Sequence, residues 1–208
     1  MHPFVAGVEV WNHYPMQNSS GTVAEFFFGS KNVGEASEPR FIGRSASFQC
    51  GATLRVSLHI DESQIIREAK FKAAGCSVLV ASASLLIDQV LGKTTGEAAA
   101  LGQQTEALKQ KLGALPAERS ECPALAGEAL VSAIRNYSDS ARDEWEGDEA
   151  LICTCFCVSE RTIEREIQAR RLRTISEVTA VCNAGAGCRS CYSLIEDILE
   201  EVNKYSES

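Results

Sequence analysis

The sequence predicts an α+β domain followed by a small all-α domain. Three observations carry this expectation. Apolar and polar residues alternate at Leu54, Val56, Leu58 and Ile60 and again at Ala69, Phe71 and Ala73, which marks two strands, while the segments that follow read as helices. The nine cysteines divide unevenly: Cys50, Cys76 and Cys122 are solitary, whereas Cys153, Cys155, Cys157, Cys182, Cys188 and Cys191 crowd the last part of the chain. Between the two lies "SDSARDEWEGDEA", polar, acidic and without helical apolar spacing, which reads as a linker over 138–150.

Residues 1–22 read as an N-terminal extension and 23–137 as the first domain. Asp61 to Ser63 can form the hairpin turn between its strands. A helix of small residues, "SVLVASASLLIDQVLG", follows, with Ser77 as its N-cap and Gly92 beyond its C-terminus. Thr94 and Glu97 have capping-box spacing for the next helix. Pro123 suits the first turn of a helix running through Leu130 and Ile134 toward Tyr137. The second domain, 151–204, has no convincing long strand. Ile163, Ile167 and Leu172 form a helical stripe after Ser159. Thr174 and Glu177 make a second capping box, and that helix stops near Gly185. Leu194, Ile195, Ile198, Leu199 and Val202 line the apolar face of the last helix. A helical domain of this size needs a staple.

Composition narrows the function classes. Hydrophobic residues make up 45% of the 208, enough to pack a core. A formal charge of −8 argues against nucleic acid as a partner, because phosphate contacts need a basic surface. No apolar run reaches the length of a membrane span, and the start "MHPFVAGVEVWNHYP" lacks the pattern of a signal peptide, so a cytoplasmic protein is expected. In a reducing compartment clustered cysteines are metal ligands or nucleophiles more often than disulfide partners. His2, His13 and His59 fit no site and read as surface residues.

Cys153-Thr-Cys155 and Cys188-Arg-Ser-Cys191 are two close pairs, and four thiolates in two pairs can surround zinc or an iron–sulfur cluster. Gly185 and Gly187 in "NAGAGCRSC" let backbone approach an inorganic core. Spacing alone does not choose between the metals. Among the solitary cysteines, Cys50 precedes the first strand, Cys76 lies where a strand turns into a helix, and Cys122 lies at another helix start. A thiol near a helix N-terminus is favoured as thiolate.

"ICTCFCVSERTIEREIQARRLRTISEVTAVCNAGAGCRSC" resembles the ferredoxin module of bacterioferritin-associated ferredoxin and of NifU-type proteins. The resemblance implies a stable 2Fe–2S cluster on Cys153, Cys155, Cys188 and Cys191, and leaves Cys157 and Cys182 as spare or buried thiols. "KNVGEASEPRFIGRSASFQCGATLRVSLHIDESQIIREAKFKAAGCSVLVASASLL", with "GKTTGEAAAL" and "LGALPAERSECPALAGEALVSAIRNY", resembles the IscU scaffold family and the first domain of NifU. That implies a small antiparallel sheet packed with helices, and a labile iron–sulfur cluster, iron or zinc on Cys50, Cys76 and Cys122. The order of the domains is that of NifU without its usual third domain. The partners implied are a cysteine desulfurase, acceptor apo-proteins and, through "LPAER", an Hsp70-type chaperone; a homodimer is left open.

Two departures from the family pattern matter for the site, besides Gly29, Ser30 and Lys31 where the family has Asn-Pro-Arg. Ala52 stands where the family has Asp, and Glu121 where it has His before the third cysteine. Glu121 reads equally as an oxygen ligand and as a solvated side chain, and it is carried as the candidate ligand. The expected function is an assembly scaffold and carrier, not an enzyme, with the C-terminal cluster for redox support. The alternative is an electron-transfer or redox-sensing 2Fe–2S protein whose scaffold half is degenerate.

Overall fold

The computed structural model describes residues 8–10, 21–143 and 150–206. His2 and His13 lie outside the described residues. The chain divides into two compact units, Met1–Asn136 and Tyr137–Ser208.

The first unit is built on a four-stranded sheet: β1 (Val8–Val10), β2 (Phe41–Ala46), β3 (Thr53–Ile60) and β4 (Ile66–Gly75), in the order β1-β4-β3-β2. The β3 and β4 strands pair antiparallel, Leu54 with Ala73, Val56 with Phe71 and Leu58 with Ala69, so their alternating apolar residues share one buried face. The segment read as an extension contributes β1, which joins β4 in parallel. The edge strand β2 was not legible in the sequence; it pairs with β3 through Phe41–Leu58 and Gly43–Val56.

Helices α1 (Gly21–Phe28), α2 (Ser77–Val90), α3 (Thr95–Gln103), α4 (Thr105–Leu112) and α5 (Cys122–Asp143), with a short 3-10 turn (Ala117–Arg119) before α5, complete the described elements of this part of the chain. The α2 helix buries Val78, Leu79, Val80, Leu86, Ile87 and Val90, each contributing about 1.5–3 kcal/mol when fully buried. Its N-cap is Cys76, not Ser77 as expected; Cys76 already has extended backbone angles, and Ser77 begins the helix. The α3 capping box forms as read: Thr94 Oγ1 accepts from Glu97 N–H, and the Glu97 carboxylate accepts from Thr94 N–H. The α5 helix crosses β2 at Gly43, where a Cβ would lie 2.0 Å from Ala129 O. Ser45 Oγ donates to Leu125 O and Ile42 N–H to Asn136 Oδ1, fixing α5 along the strand.

The α5 helix runs on through Asp143, so the start of the segment read as linker is helical; residues 144–149 lie outside the described residues. In the second unit a ribbon of β5 (Leu151–Cys153) and β6 (Val158–Ser159) precedes α6 (Glu160–Arg170), α7 (Ile175–Cys182) and α8 (Tyr192–Ser206). The ribbon amends the all-α expectation. Its strands are too short, and too rich in cysteine, to show a period in the sequence. Ile163, Ile167, Val178 and Ile195 form the core. Ser159 caps α6, Thr174 and Glu177 form the expected capping box on α7, and α7 ends at left-handed Asn183, just before Gly185.

Candidate cluster and metal sites

The three solitary cysteines stand at ends of elements. Cys50 lies in the turn from β2 to β3, closed by Ser47 N–H donating to Ala52 O at 2.8 Å and Gly51 N–H to Ser47 O at 2.9 Å. Cys76 caps α2 and Cys122 opens α5. The Sγ atoms of Cys76 and Cys122 are 3.6 Å apart, and both residues are buried, whereas Cys50 is exposed.

Several groups tune these thiols. The Ser47 hydroxyl, then the Ala52 N–H and the Arg119 guanidinium, lower the Cys50 thiol against partial burial. The Cys122 thiol donates to Cys76 and, with the Leu79 and Val78 N–H groups of α2 and Arg119, brings the Cys76 thiol down to about 6. Cys122, as the donor of that bond, is pushed up, and burial adds to the rise. Arg119, carried by a short turn of 3-10 helix (Ala117–Arg119), acts on all three thiols. Neither it nor Ser47 was found from sequence. The signal for Arg119 was its place three residues before Cys122, at the end of the stretch read as a chaperone motif.

Glu121 is exposed, and its charge raises Lys109 on α4, after the larger effects on Lys109 of Glu106. Ala52 is 2% exposed. Its Cβ is packed so closely on Gly75 that a Cβ on Gly75 would lie 3.1 Å away. His59 is half-buried, its Nδ1 donating to Pro39 O at 3.0 Å.

In the second unit Cys153 ends β5, Cys155 lies in the ribbon's turn, Cys188 lies in the loop after α7, and Cys191 immediately precedes α8. The Cys155 thiol donates to Cys188 Sγ at 3.4 Å. Cys191 is pushed up to about 11 by burial and then by Cys153 beside it. Cys188 is drawn down to about 7, chiefly by the Ser190 hydroxyl. Among the described residues no three His, Cys, Asp or Glu side chains are placed to hold a single metal ion. Thiols that meet as two pairs suit a two-iron core, in which each iron takes two of the four.

The backbone around the quartet fits such a group. At Gly187 a Cβ would lie 3.0 Å from Cys155 Cβ and 3.1 Å from its Sγ, so a side chain would fill the space beside the thiols. Gly185 has φ +84° and faces Tyr192, whose Cε1 a Cβ would meet at 2.6 Å. The remaining two thiols point elsewhere: Cys157 donates to Ser138 O and Cys182 to Val178 O, both at 3.3 Å.

Residues 18–143 match the NifU-like N terminal domain, and residues 151–201 match the BFD-like [2Fe-2S] binding domain. The chain belongs to the NifU-like family. The nitrogen fixation protein NifU of Azospirillum brasilense is 35% identical over 190 residues, 90% of this chain and 61% of that protein. The iron-sulfur cluster assembly scaffold protein IscU of Azotobacter vinelandii is 32% identical over 121 residues, 57% of this chain and 92% of that protein. The crystal structure of a nitrogen-fixing NifU-like protein (N-terminal) from Brucella abortus aligns with a TM-score of 0.48 at 20% identity, covering 58% of this chain and 94% of that one. This chain spans less than two thirds of the length of these NifU relatives, 61% of the Azospirillum brasilense protein and 65% of the Nostoc sp. NifU. In this NifU-like chain no helix among the described residues is long and apolar enough to cross a membrane.

Proposed function

We propose that this NifU-like chain is an iron–sulfur cluster assembly scaffold and carrier, working in the cytoplasm, rather than an enzyme. The observation that carries the reading is the thiol trio. Two buried thiols in contact at 3.6 Å stand at two helix N-termini beside a third, exposed thiol. Helix N-termini and Arg119 favour anionic sulfur there. The exposed Cys50 receives sulfur from a cysteine desulfurase, Cys76 and Cys122 bind iron and sulfide, and an acceptor apo-protein takes the product. Glu121, next to Cys122, is the oxygen donor in this scheme.

In the second unit Cys153, Cys155, Cys188 and Cys191 hold a resident 2Fe–2S cluster, which supplies one-electron redox chemistry. The chain's own part is to exclude water at Cys153 and Cys191, 2% and 4% exposed, and to keep a glycine loop against Cys155.

The test is anaerobic reconstitution of the full chain with iron and sulfide, followed by transfer to an apo-ferredoxin. The wild type should gain a second, transferable cluster that a variant lacking all three of Cys50, Cys76 and Cys122 does not. If the wild type gains and donates nothing beyond its C-terminal cluster, the electron-transfer reading replaces the scaffold. The observation favouring that second reading is the buried methyl of Ala52, which leaves no carboxylate at the turn.

A further inference from the structure

Sulfur delivered as a persulfide is at the oxidation level of the element, whereas clusters are built from sulfide. Each sulfur must gain two electrons before it can bridge iron. A 2Fe–2S centre passes electrons singly. A pair of thiols gives two together by closing a disulfide.

Cys76 and Cys122 are placed as such a pair. Their Sγ atoms are 3.6 Å apart, in van der Waals contact. A disulfide bond of about 2.05 Å is within reach of small side-chain rotations. The residues are 8% and 3% exposed, so Cys122 is nearly closed off and Cys76 is the sulfur of the pair that a partner from solution reaches. Cys50, on the exposed turn, is the open entrance. Around it Gly51 has φ +68° and nothing within 4 Å of where its Cβ would stand, which leaves room for an arriving sulfur carrier.

We propose that the Cys76–Cys122 dithiol is a built-in two-electron reductant that turns sulfur handed in through Cys50 into sulfide. The proposal rests on the scaffold reading. In the first step Cys76 sulfur attacks the outer sulfur of a Cys50 persulfide; the bond to Cys50 breaks, Cys50 leaves as thiolate, and Cys76 carries the persulfide. In the second step Cys122 sulfur attacks Cys76 Sγ. The bond from Cys76 Sγ to the outer sulfur breaks, and that sulfur departs with the electron pair and takes up the Cys122 proton. The balance is Cys76–S–SH plus Cys122–SH giving Cys76–S–S–Cys122 plus H2S. The delivered sulfur gains two electrons and each cysteine sulfur loses one. A dithiol reductant from solution then reopens the disulfide and frees both thiols for iron. Sulfide release therefore precedes metal loading, and a metal held on Cys76 and Cys122 blocks it.

The experiment uses the full chain, reduced, freed of added thiol and kept anaerobic, with glutathione persulfide as the sulfur source. Released sulfide is measured, and peptides are mapped by mass after acid quench. The wild type should release about one sulfide per chain and yield the peptide pair joined through Cys76 and Cys122, which needs no variant to detect. Cys122→Ser should hold its sulfur as persulfide and release sulfide at least about tenfold more slowly. Cys76→Ser should stop with the persulfide on Cys50, and zinc added before the persulfide should suppress release from the wild type. Persulfide that accumulates on the wild type without sulfide, equal release from Cys122→Ser, or undiminished release with zinc bound overturns the dithiol step alone. If no variant acquires a persulfide on Cys50, Cys76 or Cys122, sulfur acceptance by the scaffold fails, and the dithiol step falls with it.

Discussion

The two thiol groups of this chain are built on opposite terms. Cys50 lies on an exposed turn, and Cys76 and Cys122, though buried, stand at the ends of elements whose main packing lies further along them: the β3–β4 face, the buried length of α2, and α5 seated on Gly43. Cys153 and Cys191 belong to a much smaller domain, whose few buried residues they join with Phe156 and Ile195, and Cys188 lies in a loop with no regular structure between α7 and α8. The first group decorates a frame, and the second completes one. On the proposed function that is the needed division. A site that is filled and emptied has to sit on a frame that stands either way, whereas a resident cluster can take part in holding its own domain.

The largest effect should therefore come from breaking the quartet. Cys155→Ser should abolish the visible absorption of the purified protein and destabilise the second unit by about 3 kcal/mol or more, as losses of structural metal do. Cys50→Ser, on an exposed turn, should leave stability within about 0.5 kcal/mol. Visible spectra and denaturant melts of both variants decide it. Equal losses would erase the contrast between decorated and completed frames.

What the sequence disclosed follows the same division. The β3 and β4 strands were legible because each buries one face, which writes a period into the chain; α2, buried all round from Val78 to Ile87, was read from its run of small residues and from Gly92 beyond its end, and both capping boxes were legible because they are local. Edge strand β2, with Gly43 and Arg44 in its middle, carries no such period. The ribbon strands β5 and β6 are too short to have one. The glycine loop before Cys188 announced the quartet, since tight backbone approach demands those residues. The contact between Cys76 and Cys122 spans 46 positions and is made by the fold alone. The effects of Arg119 and Ser47 on the thiols depend on that same folding, so neither residue stood out beforehand.

The second effect in size concerns Ala52. Its methyl group is 2% exposed against Gly75, so Ala52→Asp buries a carboxylate where there is little room. Stability should fall by about 1–3 kcal/mol, the penalty of an ill-satisfied buried polar group. The new oxygen also stands two residues from Cys50 and opens a polar route to bound iron, so transfer of a cluster from the trio should quicken. Melts and anaerobic transfer rates measure the two together. An unchanged melt with unchanged transfer would mean that this departure from the family pattern tunes nothing.

A smaller effect separates the paired thiols from the rest in metal-free protein. Cys76 titrates at about 6 in the fold, because Cys122 donates to its thiolate, whereas an unfolded chain keeps that proton to the ordinary thiol value of about 8.5. Between those values the unfolded state holds more protons, so stability rises with pH. Above them the sign reverses, since the fold retains the Cys122 proton that the unfolded chain has lost. Cys122→Ser should remove the reversal and blunt the rise. Denaturant midpoints across this range, wild type against variant, test it; parallel curves would show that the two sulfurs titrate independently.

The smallest effect is expected at Cys157, one of the two thiols of the second unit that the quartet does not use. It sits at φ +52°, a left-handed conformation that costs an ordinary residue roughly 1–2 kcal/mol. Cys157→Gly removes that strain. It also gives up the thiol's bond to Ser138 O and adds roughly 0.5–1 kcal/mol of unfolded-state entropy. These terms nearly cancel, so the variant should melt within about 1 kcal/mol of the wild type, with its visible spectrum intact. The spectrum is the sharper readout. If Cys157→Gly loses colour while Cys155→Ser keeps it, the ribbon's turn presents the third cysteine of "CTCFC" to the metal in place of the second, and the division between ligand and spare thiols drawn here is wrong.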